Sequence, residues 1–203
     1  MDWNNITIKK WYGIKDILMD ESLDDIDKNV GILALVYDIT EEEAYNMPIV
    51  EFAEKTKAIE WLRTPPEPQM VSEKYKINGE TYRLVMNPGE IITSQYIDFK
   101  NLYPTRDEHM AEILAIFLIP EGKDYNDGYD ISKVEKDIYE HLPITYALGM
   151  TAFFLLLWEV WNQVLNSYSK NLIKKEIKKT KDPTRKKVLV DMLGLVSWME
   201  YRK

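Results

Sequence analysis

The chain has 203 residues, no cysteine, two histidines and a formal charge of −8, with 45% hydrophobic and 30% charged residues. That length supports one domain with a sizeable core or two small ones, and the composition argues against wholesale disorder. Without cysteine there is no disulfide framework and no thiolate metal site, and His109 and His141 alone are a poor zinc set, so no metal or cofactor is expected.

The first eleven residues lack the basic region, apolar core and small-residue cleavage site of a secretory signal, which favours a cytoplasmic setting. Ile8, Trp11, Tyr12, Ile14, Lys15 and Leu18 make a mostly apolar stripe at helical spacing, although Ile6–Ile8 could begin as a strand. Ser22 is the expected cap of a second helix, with Asp24 and Asp25 in its first turn and a buried stretch from Val30 to Val36. Thr40-Glu41-Glu42-Glu43 is a capping box. Pro48 opens another helix, with Val50, Phe52, Ala53, Ile59 and Leu62 offered to the core.

Thr64-Pro65-Pro66-Glu67-Pro68 cannot continue a helix, because each proline removes a donor and biases its predecessor away from helical geometry. It divides an N-terminal helical segment, 1–63, from a hairpin plus helical bundle, 69–203, unless the chain forms one unit over 1–203. Between Lys74 and Met86, Tyr75, Ile77, Tyr82, Leu84 and Met86 alternate with polar residues around Asn78-Gly79, which predicts a β-hairpin with a type I′ turn. Two strands alone are marginal, so the hairpin must lie on helices or pair further. Helices are then expected over Thr93–Leu102, Arg106–Ile119 (stopped by Pro120) and Ile131–His141 (capped by Asp130), and from Pro143 to about Thr180. Asp182-Pro183 breaks the pattern, and a last helix places Val188, Met192, Leu195, Val196 and Met199 on one face. The fold class is therefore mainly α with one small antiparallel hairpin.

Leu142–Trp158 is seventeen residues without a charge, near the lower bound of the ~20 that span a bilayer. Pro143, Gly149 and the abrupt Glu159 favour a core helix, whose small residues Thr145, Gly149 and Ala152 would let a neighbouring helix approach closely. A membrane anchor through 142–158 is the alternative, and a partner-binding face formed by Phe153, Phe154, Trp158 and Trp161 is a third reading. Residues 170–203 carry eleven Lys/Arg against four Asp/Glu, a net +7, which leaves −15 on the first 169 residues. Lys174, Lys175, Lys178, Lys179, Arg185, Lys186 and Lys187 are candidate contacts to an acidic partner or to the protein's own acidic face. No aromatic interleaves the lysines between 170 and 187, so base stacking is unsupported and nucleic acid is not expected as a partner.

Asp124–Asp130 followed by Glu135 resembles a calcium loop, but its glycine falls one position early, and a polar turn explains the same residues. Asp137/His141 and His109/Glu112 have helix-face spacing, more often a hydrogen bond than a metal site. No P-loop, dinucleotide fingerprint, nucleophile elbow or His-Glu-x-x-His motif occurs, and no catalytic residue is assigned.

Three stretches occur together: Tyr96-Ile97-Asp98-Phe99-Lys100-Asn101-Leu102, then Ile113 through Gly122, then Leu142 through Gly149 running into Phe153-Phe154-Leu155-Leu156. Their order resembles small assembly proteins of tailed bacteriophages, particularly tail assembly chaperones, over roughly residues 70–165. The resemblance implies a helical, non-enzymatic protein of the host cytoplasm that binds phage tail proteins, notably the aggregation-prone tape measure protein, and it carries over no catalytic residue. Six tryptophans and nine methionines suit such adaptable binding, and equally suit an ordinary core. A structural virion or head–tail component, with the basic C-terminal segment as its interface, is the second expectation. A homo-oligomer is compatible with either.

Overall fold

The computed structural model describes residues 1–125, 127–183, 185–190 and 193, and shows a mainly helical protein with a small antiparallel sheet. The chain forms two compact units, Met1–Phe153 and Phe154–Lys203, and the proline segment lies inside the first.

The first unit opens with α1 (Ile8–Met19), capped by Thr7, and α2 (Asp25–Tyr37). The cap of α2 is Asp24, whose carboxylate accepts from the Ile26 and Asp27 amides at 2.8 and 2.9 Å, and not Ser22. Ser22 is used one turn earlier, donating its amide and hydroxyl to Asp20. Val30–Ala34 and Val36 are buried as expected. Next come α3 (Glu41–Tyr45), with the Thr40/Glu43 capping box in place, and α4 (Ile49–Ala58). Here the expected core set divides: Ile59 is buried, Phe52 and Leu62 are half-buried, and Val50 and Ala53 are exposed. Phe52 and Thr56 share the face that α4 turns inward, which points Ile49, Val50 and Ala53 outward.

Thr64 accepts the Trp3 indole N–H at 2.7 Å, and the Gln69 amide donates to the Thr145 carbonyl at 2.9 Å, so the proline segment is tied down at both ends. The hairpin follows as β1 (Lys74–Ile77) and β2 (Glu80–Leu84), with Tyr75 opposite Tyr82. Asn78 (φ 47°) and Gly79 (φ 81°) take the positive φ that a type I′ turn demands. Tyr75, Ile77, Tyr82 and Leu84 point inward, all buried.

The helices α5 (Thr93–Leu102) and α6 (Met110–Phe117) come next. The helix expected through Ile119 stops at Phe117, because Leu118–Pro120 forms β3 and pairs antiparallel with β2, Tyr82 opposite Pro120 and Leu84 opposite Leu118. A buried apolar run has no period that separates helix from strand, and the open edge of β2 decides the matter. Ile113 through Ile119 are each at most 3% exposed, so this run is the centre of the unit. Phe99 of α5 meets Phe117 edge-on at 5.4 Å, and the buried Gln95 receives the Ile92 amide and donates to the Ile116 carbonyl. Asp130 caps α7 (Ile131–His141), and α8 runs from Ile144 to Lys179. The Ile8 amide donates to the Leu142 carbonyl and the Ile144 amide to the Ile6 carbonyl, so the extended start at Ile6–Thr7 pairs across a bridge to Pro143.

The second unit contains the distal part of α8, a break at Lys181–Asp182 and helical residues 185–190. Of the last expected helix face, Val188 is 53% exposed, whereas Met192, Leu195, Val196 and Met199 lie outside the described residues.

Candidate interaction surfaces

The uncharged run at the start of α8 is not buried all round. Ile144, Thr145, Ala147, Met150, Phe154 and Leu157 are buried, while Tyr146, Ala152 and Leu156 are exposed, so the helix is amphipathic from its first turn. No described helix is long and apolar enough to cross a membrane. At Gly149 the close neighbour is not the helix expected from the small residues but the non-helical segment around Gln69. A Cβ on Gly149 would overlap the Gln69 carbonyl oxygen and stand 3.1 Å from its carbon.

Of the four aromatic candidates, Phe154 is buried and Phe153, Trp158 and Trp161 are half-buried. The basic candidates Lys174, Lys175, Lys178 and Lys179 are all exposed on the last turns of α8, where cations complement the helix dipole. Lys179 lies 3.8 Å from Glu176. Arg185, Lys186 and Lys187 are exposed as well, but sit past the break, in the separate helical segment. Tyr168 and Leu172, 62% and 44% exposed, precede Lys175 and Lys179 along one line of α8 at spacings of four, three and four residues. The helix therefore presents an apolar stripe that becomes basic toward its C-terminus.

A second exposed apolar surface was not anticipated from periodicity. None of the ten residues of α4 is fully buried. Ile49 and Val50 are 78% and 69% exposed and, with Ala53, Glu54 and Lys57, line a shallow depression of about 420 Å³. The acidic residues Glu41, Glu42 and Glu43 of α3 stand just before it in sequence, and residues 41–60 carry six glutamates against two lysines.

Between α1, α6 and α7 lies a groove of about 600 Å³ with an acidic lining that includes Asp16, Asp107, Glu112 and Glu135, set beside the stacked rings of Tyr12 and Tyr139. Burial, then Glu112 and Asp130, raise the Glu135 carboxyl above its ordinary value. His109 Nδ1 is 3.0 Å from Glu112 Oε1, the local pairing that their spacing suggests. Asp137 does not reach toward His141: its oxygens accept from the Asn78 amide at 2.8 Å and the Tyr82 hydroxyl at 3.0 Å. In the calcium-like loop the Tyr125 hydroxyl donates to Asp98 and Asp130 is spent on its helix cap. Among the described residues, no three His, Asp or Glu side chains gather as a metal set.

Comparison with family profiles, curated proteins and solved structures finds no match. What the protein does must therefore be argued from its own surfaces.

Proposed function

We propose that this chain is a non-enzymatic assembly protein of the tail-assembly-chaperone type, acting in the host cytoplasm and binding phage tail proteins such as the tape measure protein. The observation that carries the reading is the exposed stripe of distal α8, where Tyr168 and Leu172 run into Lys175 and Lys179. A holdase for an aggregation-prone helical protein needs apolar contact area together with charge that keeps the complex in solution, and this stripe has both. The three stretches of phage-like sequence supply the context. They fall on α5, on α6 with β3, and on the start of α8; the run Ile113–Ile119 is core, whereas the other two stretches include exposed residues such as Ile97, Lys100, Tyr146 and Leu156.

Co-expression tests the proposal. The tape measure protein encoded beside this chain should be recovered soluble and co-purify with it, and should precipitate when Tyr168 and Leu172 are both replaced by Asp. Equal solubility with and without the chain would overturn the reading. The virion-component alternative draws on the exposed Arg185, Lys186 and Lys187. Mass spectrometry of purified particles separates the two, because a chaperone is absent from the finished particle.

A further inference from the structure

We infer that the distal part of α8 is a docking surface for an anionic lipid bilayer, on which the helix lies without crossing it. Tyr168, Leu172, Lys175 and Lys179 follow one another along a single line of the helix, and Lys174 and Lys178 form the adjoining row at a spacing of four. All six are exposed. Glu176 is the only acidic residue between Tyr168 and Lys179; it is half-buried at the margin of this face, 3.8 Å from Lys179. The face therefore carries +4, or +3 with Glu176 counted. Among the described residues no ion pair engages Lys174, Lys175 or Lys178. Lys181, Arg185, Lys186 and Lys187 beyond it are exposed as well, and residues 170–187 hold nine Lys/Arg against two acidic residues, a net +7.

Charge and side-chain chemistry together select the occupant. Unneutralised cations on an exposed face call for an anionic surface. Duplex nucleic acid would pair with the lysines but leave Tyr168 and Leu172 in water, and no aromatic interleaves the lysines for stacking on bases. A bilayer meets every part of the face. Leu172 enters the acyl boundary, the Tyr168 ring settles at headgroup level, and the lysine stems run along the apolar layer while their ammonium groups reach lipid phosphates. The stretch from Tyr168 to Lys179 is about 18 Å long, enough to lie flat on a membrane and too short to span one. The first 169 residues carry −15, which a surface of the same sign repels, so contact is confined to the basic segment. The inference goes beyond the chaperone reading and does not rest on it. Lipid and a tail protein would compete for one face, and binding of each is measured without the other.

Co-sedimentation of the full chain with vesicles tests this, using equal parts phosphatidylglycerol and phosphatidylcholine against phosphatidylcholine alone. Each is run in about 50 mM and about 500 mM salt, between which the Debye length shrinks about threefold. The wild type should bind the anionic vesicles at low salt, leave them at high salt and ignore the neutral ones. Lys174→Gln, Lys175→Gln, Lys178→Gln and Lys179→Gln combined should lower the partition coefficient about a hundredfold or more, since each lysine near an anionic surface contributes about fivefold. Tyr168→Ser with Leu172→Ser should weaken binding and leave its salt dependence in place. A control carrying Lys57→Gln, Lys76→Gln, Lys100→Gln and Lys123→Gln, all at exposed positions of the first unit, changes the net charge by the same amount and should bind as the wild type does. Far-UV circular dichroism checks that each variant remains helical. A wild type that stays in the supernatant with anionic vesicles at low salt would overturn the inference. So would equal binding to neutral vesicles, an equal loss in the control variant, or equal affinity for duplex DNA at the same phosphate concentration.

Discussion

The Tyr82 hydroxyl on β2 donates to Asp137 on α7 across 3.0 Å, and the same carboxylate accepts from Asn78 in the turn of the hairpin. Tyr82 and Asp137 are 1% and 6% exposed, so this is a buried polar link between sheet and helix. Its value lies in its completeness. A carboxylate with both oxygens satisfied tolerates burial, whereas one deprived of a partner does not. Tyr82→Phe should cost about 1–3 kcal/mol by leaving Asp137 short of a donor. Asp137→Asn should cost a similar amount, and the double variant should cost less than the sum, with a coupling of about 0.5–3 kcal/mol in a urea-unfolding cycle. Additive losses would mean that the two residues contribute separately.

The same geometry shapes the alkaline limb of stability. Burial, and then the hydrogen bond to Asp137, hold Tyr82 protonated well above the ordinary tyrosine range, and burial with the bond to Asp98 does the same for Tyr125. In the unfolded chain both titrate near pH 10. A folded value above the unfolded one means that the stabilisation is complete below about pH 10 and is lost as pH rises toward the folded value. Ultraviolet titration should therefore show a late group of tyrosines that ionises together with unfolding. Tyr82→Phe should remove part of that late step.

Gly149 predicts a contrast between two helical glycines. Replacing glycine by alanine inside a helix ordinarily gains up to about 1 kcal/mol. At Gly149 the added methyl would overlap the backbone carbonyl of Gln69, which is fixed by the bond from its own amide to Thr145, so Gly149→Ala should instead destabilise by about 1–3 kcal/mol. At Gly31 the nearest atom is the Ile17 Cδ1, 2.9 Å away at the end of a side chain that can turn, so Gly31→Ala should fall within about 1 kcal/mol of the wild type. Urea midpoints of the two variants, compared at equal m, measure the difference.

What the sequence discloses here is what a short segment decides for itself. The Thr40/Glu43 box, the Asp130 cap and the Asn78-Gly79 turn each place donor and acceptor, or the required φ, within a few residues, and all three stand in the structure. β3 was not legible, because Leu118–Pro120 becomes a strand only through β2, whose paired residues lie 34 to 38 positions earlier. The outward face of α4 was hidden for a related reason. With Ile49, Val50 and Ala53 on one side and Phe52 on the other, the helix is apolar in two directions, and only its packing against α2 selects which is covered. The exposed lysines of α8 were legible individually. Their alignment behind Tyr168 and Leu172 follows from a helix that stays unbroken to Lys179.

Glu135 gives the last prediction. It lies on α7 in the groove that Asp16, Asp107 and Glu112 also line, and burial followed by repulsion from Glu112 and Asp130 raises its carboxyl. Lys15, Lys136 and His109 stand in or beside the same groove, and His109 is engaged with Glu112. A carboxyl whose folded value is raised favours the folded state while protonated and loses that contribution as pH climbs through the folded value. At neutral pH the Glu135 charge is thus a cost, and Glu135→Gln should raise Tm by about 1–2 °C there. Near pH 4, where the wild-type side chain is itself neutral, the two proteins should melt together. Calorimetric scans of both proteins at the two pH values measure this, and a Gln variant that is less stable at pH 7 would show that the charge is held by an attractive contact after all.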